Sequence, residues 1–275
     1  MRFMGDQKIG LQDWLQTPPG LYLLGWERTR FDQAVADIFG YHALQLGLAP
    51  LDTLQANRMP HRWLALSEQP GSPHEVLATM PGEHSIGHAS APPAALVIDF
   101  GALPFPASSL DLVALPHSLE FNADPHATLS EVERVLVPEG RVVISGLNPA
   151  SLWGLRQRRG RFYQRKGWGE MYLPEAGEFI GYRRLRDWLR LLNFEVESVH
   201  FGAYRPAVTS QAWLNRFEWM DRAGPRWWPI FGAVYFLVAV KRVRGMRLLG
   251  PAWKLAPSRM ISPVSVARKS DGTGT

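Results

Sequence analysis

The spacing of apolar residues changes several times along the chain, and each change predicts an element. Leu21-Tyr22-Leu23-Leu24-Gly25-Trp26 is a continuous apolar run behind Pro18-Pro19-Gly20, which predicts a turn and then a short buried strand. From Phe31 to Phe39, apolar residues fall at 31, 34, 35, 38 and 39, the spacing of one helical face, and Gly40 ends it. Tyr41 to Leu46 is a second strand candidate. Strand, helix and strand in succession open a parallel sheet.

Residues 67–93 are rich in Pro, Gly, Ser and His and predict an excursion from the core. Ala95-Leu96-Val97-Ile98 is a strand ending at Asp99, and Leu110 to Leu115 is the next. Asp124-Pro125 has the form of a helix start, with Asp as N-cap and Pro at the first helical position. Leu129, Val132 and Leu136 supply its buried stripe. Val137-Pro138-Glu139-Gly140 suits a type I turn, and Arg141 to Ser145 is a strand. Leu185, Trp188, Leu189 and Leu192 make a helical face, residues 195–201 alternate as a strand, and residues 233–240 form a last apolar strand. Alternating strands and helices predict a doubly wound α/β sheet, which binds ligands beyond the carboxyl ends of its strands. The division expected is one domain over 1–245 and a basic extension over 246–275.

Composition narrows the chemistry. The 275 residues include no cysteine, which removes disulfides, thiolate zinc, Fe–S clusters and a thiol nucleophile. His84 and His88 have a metal-ligand spacing, but Gly87 and the Pro-rich surroundings argue against a helix there, so no metal is expected. The longest apolar run, Trp227 to Val240, is shorter than the roughly 20 residues of a membrane span and contains Pro229 and Gly232. With no apolar leader at the start of the sequence, the expectation is a cytoplasmic protein without a transmembrane segment. Charge is divided unevenly. Residues 1–151 carry 8 Lys+Arg against 16 Asp+Glu, and residues 152–275 carry 22 against 9. The second half therefore faces something anionic.

The most specific stretch is Leu103-Pro104-Phe105-Pro106-Ala107-Ser108-Ser109-Leu110-Asp111-Leu112-Val113, followed by Glu131-Val132-Glu133-Arg134-Val135-Leu136-Val137-Pro138-Glu139-Gly140 and the strand from Arg141. It resembles the class I S-adenosylmethionine (SAM)-dependent methyltransferases of the type 11 group. The resemblance is close over about residues 94–150 and elsewhere lies in the order of elements. It implies a Rossmann-like, doubly wound, mostly parallel sheet with an antiparallel last strand, and SAM as cofactor. Asp111 and Arg134 read as structural, Asp111 capping neighbouring backbone and Arg134 exposed or paired with an acid.

At the cofactor end the chain departs from the family. Aligned with the family's acidic, Gly-rich loop, the run Leu23-Leu24-Gly25-Trp26-Glu27-Arg28-Thr29 keeps only Gly25. Glu27 either supplies the missing carboxylate or is solvated and paired with Arg28 or Arg30. Gln45 stands near the second strand's end, where the family has an acid for the ribose, and hydrogen-bonds more weakly than a carboxylate would. Asp99 and Phe100 match the positions that hold the adenine amino group and pack its ring. Pro116 and His117 match the segment beside the transferred methyl. His117 is the general-base candidate, because imidazole titrates near neutrality, or it simply packs against a helix end.

Beyond the fifth strand come Asn148 and a basic loop over 156–168, with Arg156, Arg158, Arg159, Arg161, Tyr163 and Trp168 as candidate substrate contacts. Six of these thirteen residues are cationic, which suits an acidic substrate, an anionic lipid surface or nucleic acid, or else a solvated loop. Trp213, Phe217, Trp219, Trp227 and Trp228 belong either to the core or to an apolar substrate pocket. The expected activity is methyl transfer from SAM to a small or lipophilic, or anionic, acceptor, with peripheral membrane contact compatible with it. The alternatives are a methyltransferase fold that binds without catalysis and, last, a nucleic-acid methyltransferase, for which no RNA-binding module is recognisable.

Overall fold

The computed structural model describes residues 10–67, 94–164, 171–174 and 179–243. The chain divides into two units, 1–243 and 244–275, and all described residues lie in the first. Trp168 and the histidines at 74, 84 and 88 fall outside the described residues.

Two helices lead in, α1 (Leu11–Leu15) and α2 (Pro18–Val35). Strands β1 (His42–Leu46), β2 (His61–Ser67), β3 (Ala94–Ile98) and β4 (Leu110–Pro116) follow. Then come α3 (Pro125–Val135), β5 (Leu136–Leu147), α4 (Leu152–Gln164), α5 (Tyr182–Leu191) and β6 (Phe194–Gly202). The last elements are α6 (Gln211–Arg216), α7 (Trp219–Trp227) and β7 (Val234–Lys241). The seven strands form one sheet in the order β3-β2-β1-β4-β5-β7-β6, parallel except for β7, which runs antiparallel to β5 and β6. This is the expected doubly wound, Rossmann-like α/β sheet.

Alternation along the strands builds two cores. Ala43, Leu112, Ala114, Val143, Phe236 and Val238 meet Phe31 and Val35 of α2 on one face. Leu44, Val113, Leu115, Val142 and Leu237 meet Leu129 and Val132 of α3 and Leu185 and Leu189 of α5 on the other. Asp124 caps α3 by accepting from the backbone N–H groups of His126 and Ala127. Asp111 accepts from the backbone of Tyr41 and His42, tying β4 to the start of β1. Arg134 pairs with Glu131 and donates to the carbonyls of Leu103 and Phe105, which fixes the loop before β4.

Four expectations are corrected. Residues 21–26 are helix, not strand: Pro18 and Pro19 occupy the first helical positions, where no N–H is needed, and Leu23, Glu27, Phe31 and Val35 form one buried stripe of α2. His42–Leu46 is therefore the first strand, and His61–Ser67 the second. Residues 152–164, within which most of the basic run falls, are helical, so its arginines stand on α4 and not on a loop. Between Leu136 and Arg141 the strand bulges, and Glu139 takes φ 64°, which a type I turn does not contain.

Candidate functional site

In sheets of this topology the site lies beyond the carboxyl ends of the parallel strands. There the backbone leaves β4 at His117, which adopts φ 54° and donates its N–H to the Ser145 carbonyl of β5. The turn is closed by the Glu120 N–H donating to the His117 carbonyl. It folds the Glu120 carboxylate back onto the imidazole, with Nδ1 of His117 3.0 Å from Oε2 of Glu120. The other Glu120 oxygen accepts from the Leu147 N–H at the end of β5.

The second carboxylate comes from α2. Oε1 of Glu27 lies 2.8 Å from Nε2 of His117. Glu27, His117 and Glu120 are 0%, 2% and 1% exposed. The Glu27 contact is close but not aligned as a hydrogen bond, so it acts mainly through charge; Oε2 of Glu27 has no hydrogen-bond partner among the described residues. Burial by itself would lower the His117 pKa. The negative charge of Glu27, with the hydrogen bond to Glu120, overrides this and raises it to about 10. Burial also pushes the Glu120 carboxyl up, partly offset by His117. Tyr235 completes the wall. Its hydroxyl is held well above its usual pKa by burial and by the Glu120 charge. A side chain on Gly146 would meet the Tyr235 hydroxyl at 2.4 Å and Oε1 of Glu120 at 3.0 Å.

The turn after β1 adjoins this cluster. Gly47 takes φ 76° and Leu48 φ 46°. Ser118, next to His117, donates to the Leu46 carbonyl, and its Oγ would lie 3.1 Å from a Cβ on Gly47. Gln45 sits on β1, not at the end of the second strand, and is spent on its own loop. Its Nε2 donates to the carbonyls of Gly47, Leu48 and Leu51, and its Oε1 accepts from the N–H and hydroxyl of Thr53. Gly25 is exposed on α2 and forms no part of a cofactor loop. The carboxylate expected from a loop at Glu27 arrives instead from this helix.

Asp99 follows β3 and is exposed, with Oδ1 accepting from the Gly101 N–H. Phe100 is turned into the core on the α3 side. Pro116 is the buried last residue of β4. Asn148 is buried and structural: its amide donates to the carbonyls of Ile230 and Gly232, and its oxygen accepts from the Ala150 N–H. On α4, Arg156 lies over the Tyr172 ring and donates to the Ala207 carbonyl, and Arg161 lies over Phe179. Arg158, Arg159, Arg161 and Tyr163 are exposed. The tryptophans at 213, 219, 227 and 228 are 42–72% exposed and line no core pocket. Among the described residues no group of three His, Asp or Glu is placed to hold a metal ion.

Against this geometry the comparisons are direct. Residues 64–144 match the family described as Methyltransferase domain. The Escherichia coli (strain K12) protein YafS is 40% identical over 94 residues, which is 34% of this chain and 36% of that protein. The match therefore spans about a third of that relative. A Haloferax volcanii protein solved in complex with the Trm112 methyltransferase activator superposes with a TM-score of 0.53 at 17% identity, over 87% of this chain and 99% of that one. The YcgJ protein from Bacillus subtilis gives 0.50 at 14% identity, over 80% and 99%. Residues 64–144 are thus similar to a methyltransferase domain, and the described sheet has the class I methyltransferase fold, for which SAM is the implied cofactor.

The strand ends carry carboxylates of the kind that the amino and adenine groups of SAM require. Gly47 takes φ 76° in the turn after β1, packed against Ser118 and Phe100, and Asp99 stands exposed at the end of β3. Gln45 has no polar valence left for an ammonium group. A buried carboxylate oxygen without a partner, Oε2 of Glu27, lies on the cluster that adjoins the Gly47 turn. Sequence reasoning singled out both Glu27 and His117, but it missed Glu120 and Tyr235. The signal for Glu27 is one acid at a buried position of an otherwise apolar helical stripe.

Proposed function

We propose that the protein transfers the methyl group of SAM to a small or lipophilic acceptor. The observation that carries this reading is Oε2 of Glu27, a buried carboxylate oxygen without a hydrogen-bond partner in the cluster at the end of β4, which matches the need for an anion at the amino-acid end of the cofactor. Asp99 would accept from the adenine amino group. When bound, SAM supplies an electrophilic methyl on a sulfonium.

The protein contributes orientation and exclusion of water. His117 is a cation at neutral pH with both ring nitrogens facing carboxylates, which makes it a clamp holding α2 to the β4 turn and not a general base. The exposed arginines of α4 favour an acceptor, or a surface bearing it, that is anionic. A second reading, a fold that binds without catalysis, is favoured by the closed hydrogen-bonding of Gln45. Calorimetric titration of SAM into the full chain tests between them. Micromolar binding supports methyl transfer, and no heat at millimolar SAM leaves the second reading.

A further inference from the structure

The connection from β6 to β7 sits at the same edge of the sheet as the site, because β6 runs parallel to β1, β4 and β5 and β7 returns. This connection contains α6 and α7, and it turns its apolar side chains outward. Trp213, Trp219, Trp227, Trp228, Ile230 and Phe231 are 42–72% exposed within nineteen consecutive residues. Arg216, Arg222 and Arg226 stand exposed among them. Glu218 lies 3.9 Å from Arg222 and is itself exposed.

This surface is held rigidly. Asp221 accepts from the Tyr22 hydroxyl and the Tyr204 N–H and pairs with Arg205 at 2.8 Å. Gly224 packs on the Tyr204 ring, whose hydroxyl donates to the Pro229 carbonyl. Asn148 pins the carbonyls of Ile230 and Gly232 to the end of β5. A fixed platform of indoles in water is costly unless something covers it.

The neighbouring helix shows the same composition. Trp153 donates to the Arg205 carbonyl and Arg156 to the Ala207 carbonyl, so α4 adjoins the segment leading to α6. Leu152, Leu155 and Tyr163 are 46–53% exposed, Arg158, Arg159 and Arg161 are exposed, and α4 contains no acid. Trp with Arg and aliphatic side chains on one surface is the composition of a bilayer interface. The indoles sit at headgroup level, and guanidinium groups meet lipid phosphates.

We infer that α4, α6 and α7 form a docking surface for an anionic lipid bilayer, which turns the mouth of the site toward the membrane. The acceptor is then a lipophilic molecule taken from the lipid phase; that last step rests on the methyltransferase reading, and the docking does not. Nucleic acid fits less well, since the 211–231 segment has three arginines against Glu218 and Asp221 and is dominated by apolar surface.

The test is flotation of the full chain with vesicles of phosphatidylglycerol and phosphatidylcholine, and with phosphatidylcholine alone. The chain should float with the anionic vesicles, and release should follow a rise in salt. Trp227→Ala with Phe231→Ala, and separately Arg222→Gln with Arg226→Gln, should each weaken flotation roughly tenfold or more. All these side chains are exposed, so circular dichroism should be unchanged. The inference is overturned if the native chain does not float at low salt, or if both variants float like it. It is also overturned if the same substitutions abolish a dimer seen by sedimentation, or binding to single-stranded RNA, while vesicles are ignored. Flotation without SAM binding would sink the methyl-transfer reading alone.

Discussion

Nε2 of His117 lies 2.8 Å from Oε1 of Glu27, and this contact joins the helix over the strand ends to the turn after β4. His117 is held at a pKa of about 10, against its ordinary 6.5. A proton bound more tightly in the folded than in the unfolded chain stabilises the fold below pH 6.5 and ceases to do so as pH climbs through 10. Glu120 acts in the same direction from lower pH, because its carboxyl is raised as well. The melting temperature should therefore fall between pH 6.5 and 10. His117→Gln should be less stable at pH 6, by roughly 3–5 kcal/mol for breaking a buried pair, with a flatter profile. Calorimetric scans of both chains across this range check it. A wild-type melting temperature that holds constant to pH 10 would contradict the charged cluster.

Restoring the acid that the family carries on the first strand should harm this protein. Nε2 of Gln45 faces three carbonyls, so Gln45→Glu would set a carboxylate against them. A loss of about 3 kcal/mol or more is expected in urea unfolding. SAM affinity should not improve.

Gly146 has no room for a methyl group, since a Cβ would lie 2.4 Å from the Tyr235 hydroxyl. Gly146→Ala should cost about 1–3 kcal/mol by overpacking. It should also displace Glu120, so the pH dependence of stability should weaken with it. Unfolding at pH 6 and pH 9 separates the two effects.

Asp99→Ala should weaken SAM binding by about 1–3 kcal/mol if its carboxylate accepts from the adenine amino group. Asp99→Asn should recover part of the loss. Isothermal titration gives both values, and unchanged binding in Asp99→Ala removes that assignment.

Residues 94–147 were legible because their period, caps and turn residues agree: Asp124 caps α3, Asp111 takes the Tyr41 and His42 backbone, and the strands are plainly apolar. The first half of α2 was not. Buried residues such as Leu23 share it with Tyr22, Leu24 and Trp26 packed against the same core, so it shows no polar face over 21–26 and looks like a buried strand. Read as a strand, this stretch makes residues 41–46 the second strand and not the first and puts Gly25 in a loop; β2, hidden in the pattern, leaves the later strand numbers unchanged. Helix α4 was hidden because its buried stripe is only Trp153, Gly154 and Gln157, amid arginines and Gly160. Strand β2 opens on His61 and Arg62, both exposed, and lacks an apolar start. Glu27 and His117 were each visible, but contact between residues so far apart in sequence depends on how α2 crosses the sheet, and local pattern does not encode that.

The account turns on the Glu27 carboxylate. Calorimetric titration of the native chain and of Glu27→Gln should be made with SAM and with an analogue lacking the amino group. Glu27→Gln should weaken SAM by about 10- to 150-fold, the value of a charged hydrogen bond, and leave the analogue nearly unchanged. Equal losses for both ligands, or no loss for either, would contradict Glu27 as the cofactor's anchor.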